Sequence, residues 1–214
     1  MRKTLIAATL AAVASTSAHA VSPIAGWSKL WTFTHGSGTS VAGQTSEIVA
    51  FDATTNQLWV AGLKGVDILD ASNGSFLQHI DTTGFGEANS VAIRNGVAAI
   101  AIASPAKTAP GLVLTYQTAT RSLLQSYDVG ALPDMVTFTP DGRILTANEG
   151  EPLPRSGLPT LEARGSVSII NPANDTVTTL GFGAFDAAPP AGLRIVTPGG
   201  RPLCPQCVGQ RDRA

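Results

Sequence analysis

Charge is scarce in this chain: 14 Lys and Arg stand against 15 Asp and Glu in 214 residues, a net charge of −1. Such a balance leaves no electrostatic footprint for nucleic acid or for an anionic membrane surface. Histidine occurs three times and cysteine twice. A phosphatase of the metal-cluster type needs several His and Asp ligands around a Ser or Thr nucleophile, and His35 and His79, on unrelated runs, do not supply that set. Neither a Gly-x-Ser-x-Gly elbow nor a phosphate loop is present. Turn chemistry is plentiful, with 22 Gly, 14 Pro and 43% hydrophobic residues, which predicts a turn-rich globular domain without long helices.

The first residues, "MRKTLIAATLAAVASTSAHA", place Arg2 and Lys3 ahead of an apolar stretch from Leu5 to Ala14 and end in Ala18-His19-Ala20. This order of cations, short apolar run and small residues predicts a secretory signal peptide over 1–20, cleaved after Ala20. The apolar run is too short for a stable span, and no later segment reaches roughly 20 consecutive apolar residues. The expected product is soluble and exported: secreted, periplasmic or at the cell surface. Losing Arg2 and Lys3 takes its charge to about −3.

Comparison of the chain with itself gives its organisation. "EIVAFD" from Glu47, "NSVAIR" from Asn89 and "DMVTFT" from Asp134 each open with a polar residue and then alternate, with Val49, Val91 and Val136 in register. Their starts are 42 and 45 residues apart, a period suited to propeller blades, in which one unit is a four-stranded sheet. After tight turns at Thr55-Asn56, Asn95-Gly96 and Asp141-Gly142 come "QLWVAG", "VAAIAIA" and "RILTANEG". Third are "GVDILD", "GLVLTYQT" and "GSVSIINP", and fourth "FLQHID", "LLQSYDV" and "TVTTLGF". The inner strand of each unit is expected to be the most apolar, as "VAAIAIA" illustrates, because propeller sheets pack face to face with no solvent side.

The predicted fold is therefore all-β: a partial β-propeller of about three four-stranded antiparallel blades, near 46–83, 87–130 and 132–186. An extension over 21–45 carries one more strand-like run, "KLWTFTH", as a closing strand, and an irregular tail covers 187–214. Complete propellers have roughly 4 to 8 blades, so three leave two apolar faces unpaired. That predicts either a fragment or self-association through the unpaired blades.

The run "LPDMVTFTPDGRILTANEGEP" followed by "GSVSII", together with "GVDILD" and "GEANSVAIRNGVAAIAI", resembles the choice-of-anchor I family of exported, mostly bacterial proteins. The resemblance spans about Glu47 to Asp186, and Asn148-Glu149-Gly150-Glu151-Pro152 is its most specific part. It implies a β-propeller with Tyr-Val-Thr-Asn-like repeats on a secreted or surface protein, with a variable C-terminal anchor. It implies no settled activity, although some members carry alkaline-phosphatase-like names. The chain departs from the pattern at Asn171-Pro172 and again near Thr197, where it turns into "PGGRPLCPQCVGQRDRA". Four of the 14 basic residues fall in the last 21 positions and strand alternation ceases, so a truncated copy with a tail foreign to the fold, and no anchor, is expected.

In a propeller the loops entering the inner strands and those joining second to third strands share one rim, where ligands usually meet the fold. That rim is expected to hold Glu47, Glu87, Asn89, Asp134, Asn148, Glu149 and Glu151. The leading reading of these residues is structural: solvated loop residues at a hairpin end, with Asn148 capping a turn. The competing reading is binding, since oxygen ligands of this kind suit a hard cation such as Ca²⁺, held by Glu149 and Glu151 if it binds, with no cofactor certain. Cys204 and Cys207 are half a zinc site at most; in an oxidising compartment they pair with each other or with another chain. The functional expectation is an exported, non-enzymatic binding or surface-interaction module for a protein or small-molecule ligand at the rim. The alternative is an incomplete copy of an extracytoplasmic metal-dependent phosphoesterase.

Overall fold

The computed structural model describes residues 28–36, 40–150 and 163–187. The signal-peptide stretch 1–20, Glu151, Cys204, Cys207 and all of the tail from 188 onward lie outside the described residues. Among the described residues, twelve strands follow in chain order. The first blade is β1 (Val49–Asp52), β2 (Gln57–Gly62), β3 (Gly65–Asp70) and β4 (Phe76–Asp81). The middle blade is β5 (Glu87–Arg94), β6 (Val97–Ala103), β7 (Pro110–Gln117) and β8 (Ser122–Ala131). The third is β9 (Pro133–Phe138), β10 (Ile144–Asn148), β11 (Ser166–Asn171) and β12 (Thr176–Gly181), followed by the four-residue helical turn α1 (Ala184–Ala187). Each blade is an antiparallel meander whose strands pair in sequence order. The described residues contain no helix long and apolar enough to cross a membrane.

The repeat is exact at the level of pairing. Val49 faces Val60, Val91 faces Ile100 and Val136 faces Thr146, the fourth position of the second run in all three units. Turn residues fix these registers: Asn95 and Gly96 take φ of 48° and 78°, so both central positions of the β5–β6 hairpin are left-handed, as a type I′ turn requires. The third strands are less uniform. A two-residue connection in the first blade pairs Gly62 with Gly65, so Val60 faces Asp67. In the other blades Ile100 faces Leu114 and Thr146 faces Ser168, one place later from the opening glycine.

The blades are arranged as a fan. β1 packs on β5 and β5 on β9, while the fourth strands of neighbouring blades touch far less. Side-chain alternation in β6 then serves two interfaces, because successive residues of a strand point to opposite faces. Ala98, Ile100 and Ile102 pack with Trp59, Ala61, Val66 and Ile68 of the first blade. Ala99 and Ala101 pack with Val136, Ile144 and Ile170 of the third. Residues Ala98 to Ala103 are all fully buried, and burying a side chain such as Ile100 contributes about 1.5–3 kcal/mol.

Two expectations are corrected. The most apolar run is the second strand of its blade, not the innermost. The first strands of the two flanking blades are half-exposed, with Val49, Phe51 and Met135 all more than 50% accessible, whereas β5 between them is covered on both faces. Residues 29–35, expected as a closing strand, form none. Side chains anchor this segment instead: Trp31 donates its indole N–H to the Ala71 carbonyl, and Phe33 stacks on Phe76 at 6.0 Å between ring centroids. The described residues 31–36 and 40–44 thus lie over the β3–β4 part of the first blade's outer face, within the compact unit that begins at Trp31. Gln44 secures their end, accepting from the Lys64 backbone N–H and donating to the Gly65 carbonyl.

Candidate functional site

Strand pairing sets the rim residues at one end of the three sheets, where first strands begin and second strands finish. Glu47 is exposed, its backbone N–H donating to the Ala61 carbonyl. Glu87 pairs with Lys107 across 3.0 Å, both side chains substantially exposed. Asp134 and Glu149 are exposed as well. Among the described residues, the strands of two of the rim side chains converge at Pro133. Asn89 donates its amide to the Pro133 carbonyl at 3.1 Å, joining the middle blade to the third, and Asn148 is the ladder partner of Pro133.

Asn148 is 3% exposed and gives its amide N–H groups to Ser166 Oγ at 3.0 Å and Ser168 Oγ at 2.9 Å. Its carbonyl oxygen is buried and has no partner, as is the Thr146 hydroxyl two residues earlier on the same face. Buried polar groups are almost always satisfied, which makes this orphan acceptor, one of six unpartnered buried side-chain atoms among the described residues, a candidate position for a water or a ligand. Close backbone approach at this point depends on Gly130 of β8. A Cβ there would come within 2.5 Å of Ser166 Oγ and 2.6 Å of Asn148 Nδ2.

The loop after Asn148 is tied down at its start. Glu149 N–H donates to the Leu132 carbonyl at 2.9 Å and Gly150 N–H to the Ala131 carbonyl at 3.2 Å. Leu132 holds φ of 51°, a left-handed conformation that costs a branched residue roughly 1–2 kcal/mol. Its buried side chain and the bond at its carbonyl keep it there. The two ends of the quoted run "LPDMVTFTPDGRILTANEGEP" are therefore joined by backbone bonds around one strained residue, and such strain clusters at functional sites.

The carboxylates of the rim do not form a cage. Among the described residues no group of three or more His, Cys, Asp or Glu side chains is placed to hold a metal ion. Glu151, the second carboxylate expected beside Glu149, lies outside the described residues.

Sequence reading missed a second polar cluster, on the outer face of the first blade. Asp67, fully buried, accepts from Ser40 Oγ at 2.6 Å and lies 2.6 Å from His35 Nδ1 and 2.7 Å from His79 Nδ1. Burial alone would raise the Asp67 carboxyl, but bonds from Ser40, His35 and His79 outweigh it and hold the group below the ordinary carboxylate value. His79 is half-buried at a strand position, in keeping with a partly buried side chain, and its other nitrogen meets the Lys64 carbonyl at 3.2 Å. The available signal was Asp67 itself, an acid at a full-burial position inside "GVDILD".

The solved structures that match are of low identity. The chain resembles the Neurospora crassa Pan2 WD40 domain at 15% identity and TM-score 0.49, covering 69% of this chain and 41% of that one. It resembles an extracellular domain of a hybrid two-component system from B. thetaiotaomicron at 16% and 0.46, covering 65% and 18%. Hydrazine synthase of Kuenenia stuttgartiensis matches at 15% and 0.43, covering 64% and 54%. The chain thus spans about half or less of these proteins' lengths. No curated protein matches it. Across residues 47–203 the sequence fits the model of the Choice-of-anchor I domain, running past Asp186 into the stretch read above as foreign to the fold. That match takes in most of the sequence and all twelve strands: the chain belongs to the choice-of-anchor I family.

Proposed function

We propose that this propeller-type chain is an exported, non-enzymatic binding or surface-interaction module, and that it engages its ligand at the end of the sheets where Asn89, Asn148 and Glu149 lie. The carrying observation is the buried, unpartnered carbonyl oxygen of Asn148, next to a strained Leu132 and the anchored start of the acidic loop. An acceptor in that position suits a hydrogen-bond donor or a hard cation such as Ca²⁺. Export rests on Arg2, Lys3, the Leu5 to Ala14 run and Ala18-His19-Ala20, and on family membership.

The outward face of the third blade supports a fragment or self-associating role. One row across it runs Met135, Ala147, Val167 and Leu180, with Met135 and Leu180 just over half exposed. No observation favours the phosphoesterase alternative, since both described histidines are engaged by Asp67.

Calorimetric titration of the full chain with Ca²⁺ tests the rim. Saturable binding that weakens in Asn148→Ala and Glu149→Gln supports the reading. Turnover of a generic phosphoester, abolished in Glu149→Gln and Glu151→Gln, overturns it in favour of catalysis.

A further inference from the structure

At the opposite end of the sheets, between the middle and third blades, lies a cleft of about 480 Å³, a volume typical of small-molecule sites. It exists because the middle blade presents small or short side chains there. Along one row Ala92, Ala99 and Thr115 face the third blade, and the space they leave opens in front of Phe138 and Ile144.

We propose that this cleft binds a free α-amino acid with an apolar, aromatic-sized side chain. Val97, Phe138 and Ile144 supply the apolar wall, while Arg94, Tyr127 and Asp175 supply the polar groups. Tyr127 is 6% exposed and donates its hydroxyl across the two blades to Asp175 Oδ1 at 3.1 Å. This fixes the carboxylate in place, and one bond from Tyr127 leaves most of its accepting capacity, about four sites, for a ligand ammonium. Arg94 gives Nη2 to the Pro140 carbonyl, one of five donors, so its guanidinium is oriented and retains N–H groups for a carboxylate.

Charge decides the ligand class. A lining with one cation and one anion gives a singly charged ligand one attraction and one repulsion, whereas a zwitterion satisfies both. The apolar wall then selects for the side chain. This site is separate from the Asn148 rim and does not rest on the function proposed for it.

The test uses the full chain and three probes of one shape: L-phenylalanine, 2-phenylethylamine, which lacks the carboxylate, and 3-phenylpropanoate, which lacks the amine. Amide chemical-shift titration should show saturable phenylalanine binding with shifts at Asn95 and Gly142, and each analogue at least about tenfold weaker, as expected for loss of a charged hydrogen bond. In Arg94→Gln the preference over the amine should vanish, and in Asp175→Asn the preference over the acid should vanish. This crossed pattern would not arise from general loosening of the fold, and the wild-type series alone is decisive should a variant fail to fold. Absence of saturable phenylalanine binding, equal affinity for all three probes, or shifts confined to the Asn148 end would overturn the proposal.

Discussion

His79 meets the Asp67 carboxylate with one ring nitrogen and the Lys64 carbonyl with the other, at 2.7 and 3.2 Å. The same carboxylate holds His35 and Ser40 of the overlying segment. Asp67→Asn should therefore cost about 1–3 kcal/mol, the range found when a buried hydrogen-bonded group loses its partners, and lower the thermal midpoint accordingly. An unchanged midpoint would mean that the segment is held by Trp31, Phe33 and Gln44 alone.

Acid should act on the same contact. The Asp67 carboxyl is depressed in the fold, so its contribution is fully present above the unfolded carboxylate value and is lost as pH falls through the folded one. Trp31 fluorescence against pH should report release of the segment only below the ordinary carboxylate range. In Asp67→Asn that acid transition should disappear.

Interface alternation in β6 predicts a pair of opposite failures. Ile100→Ala opens a cavity toward Trp59 and Ile68 and should cost about 2–5 kcal/mol. Ala99→Leu overfills the other interface, toward Ile144 and Ile170, at about 1–3 kcal/mol. Urea midpoints of both variants should fall, and the double variant measures how far the shared β6 backbone couples the two interfaces.

Gly130→Ala drives a methyl group into Ser166 and Asn148 and should destabilise by about 1–3 kcal/mol. Gly181→Ala, with no atom within 4 Å of the new carbon, should be neutral or slightly stabilising. Equal effects in the two variants would show that the contact between β8 and β10 is looser than described.

The chain has two tyrosines, and both resist ionisation. Burial raises Tyr116; burial together with Asp175 pushes Tyr127 up to about 12. Absorbance at the phenolate band should stay low at pH 10 in the folded protein and rise there in urea. A raised value favours the fold below the unfolded tyrosine range, so stability should decline above about pH 10 as the unfolded chain ionises first. Tyr127→Phe should remove one phenolate equivalent and part of that decline.

Much of this architecture was legible in the sequence because strand pairing follows period-two alternation and turn chemistry. Val49, Val91 and Val136 align by pattern and occupy the same ladder position in space. The one-place offset of β3 escaped notice because it comes from the length of the Leu63-Lys64 connection, not from side-chain character. The Trp31 to Gln44 segment was misread for a related reason. "KLWTFTH" alternates like a strand, yet its aromatic residues and His35 bind side chains and carbonyls on a sheet face, which periodicity does not encode. At the rim, polar residue types grouped Asn89, Asn148 and Glu149 at one end of the sheets, but which of them was buried, as Asn148 is, depended on a glycine in the neighbouring blade.

The cover over the first blade gives any stacking of these molecules a direction. Among the described residues, one terminus of the fan carries Trp31, Phe33 and His35 over β3 and β4 as a stopper beside the exposed Val49 and Phe51, while Met135 and Leu180 are exposed at the other. Copies meeting bare side to bare side would stop at two, and an endless filament would first have to pull the stopper from each unit.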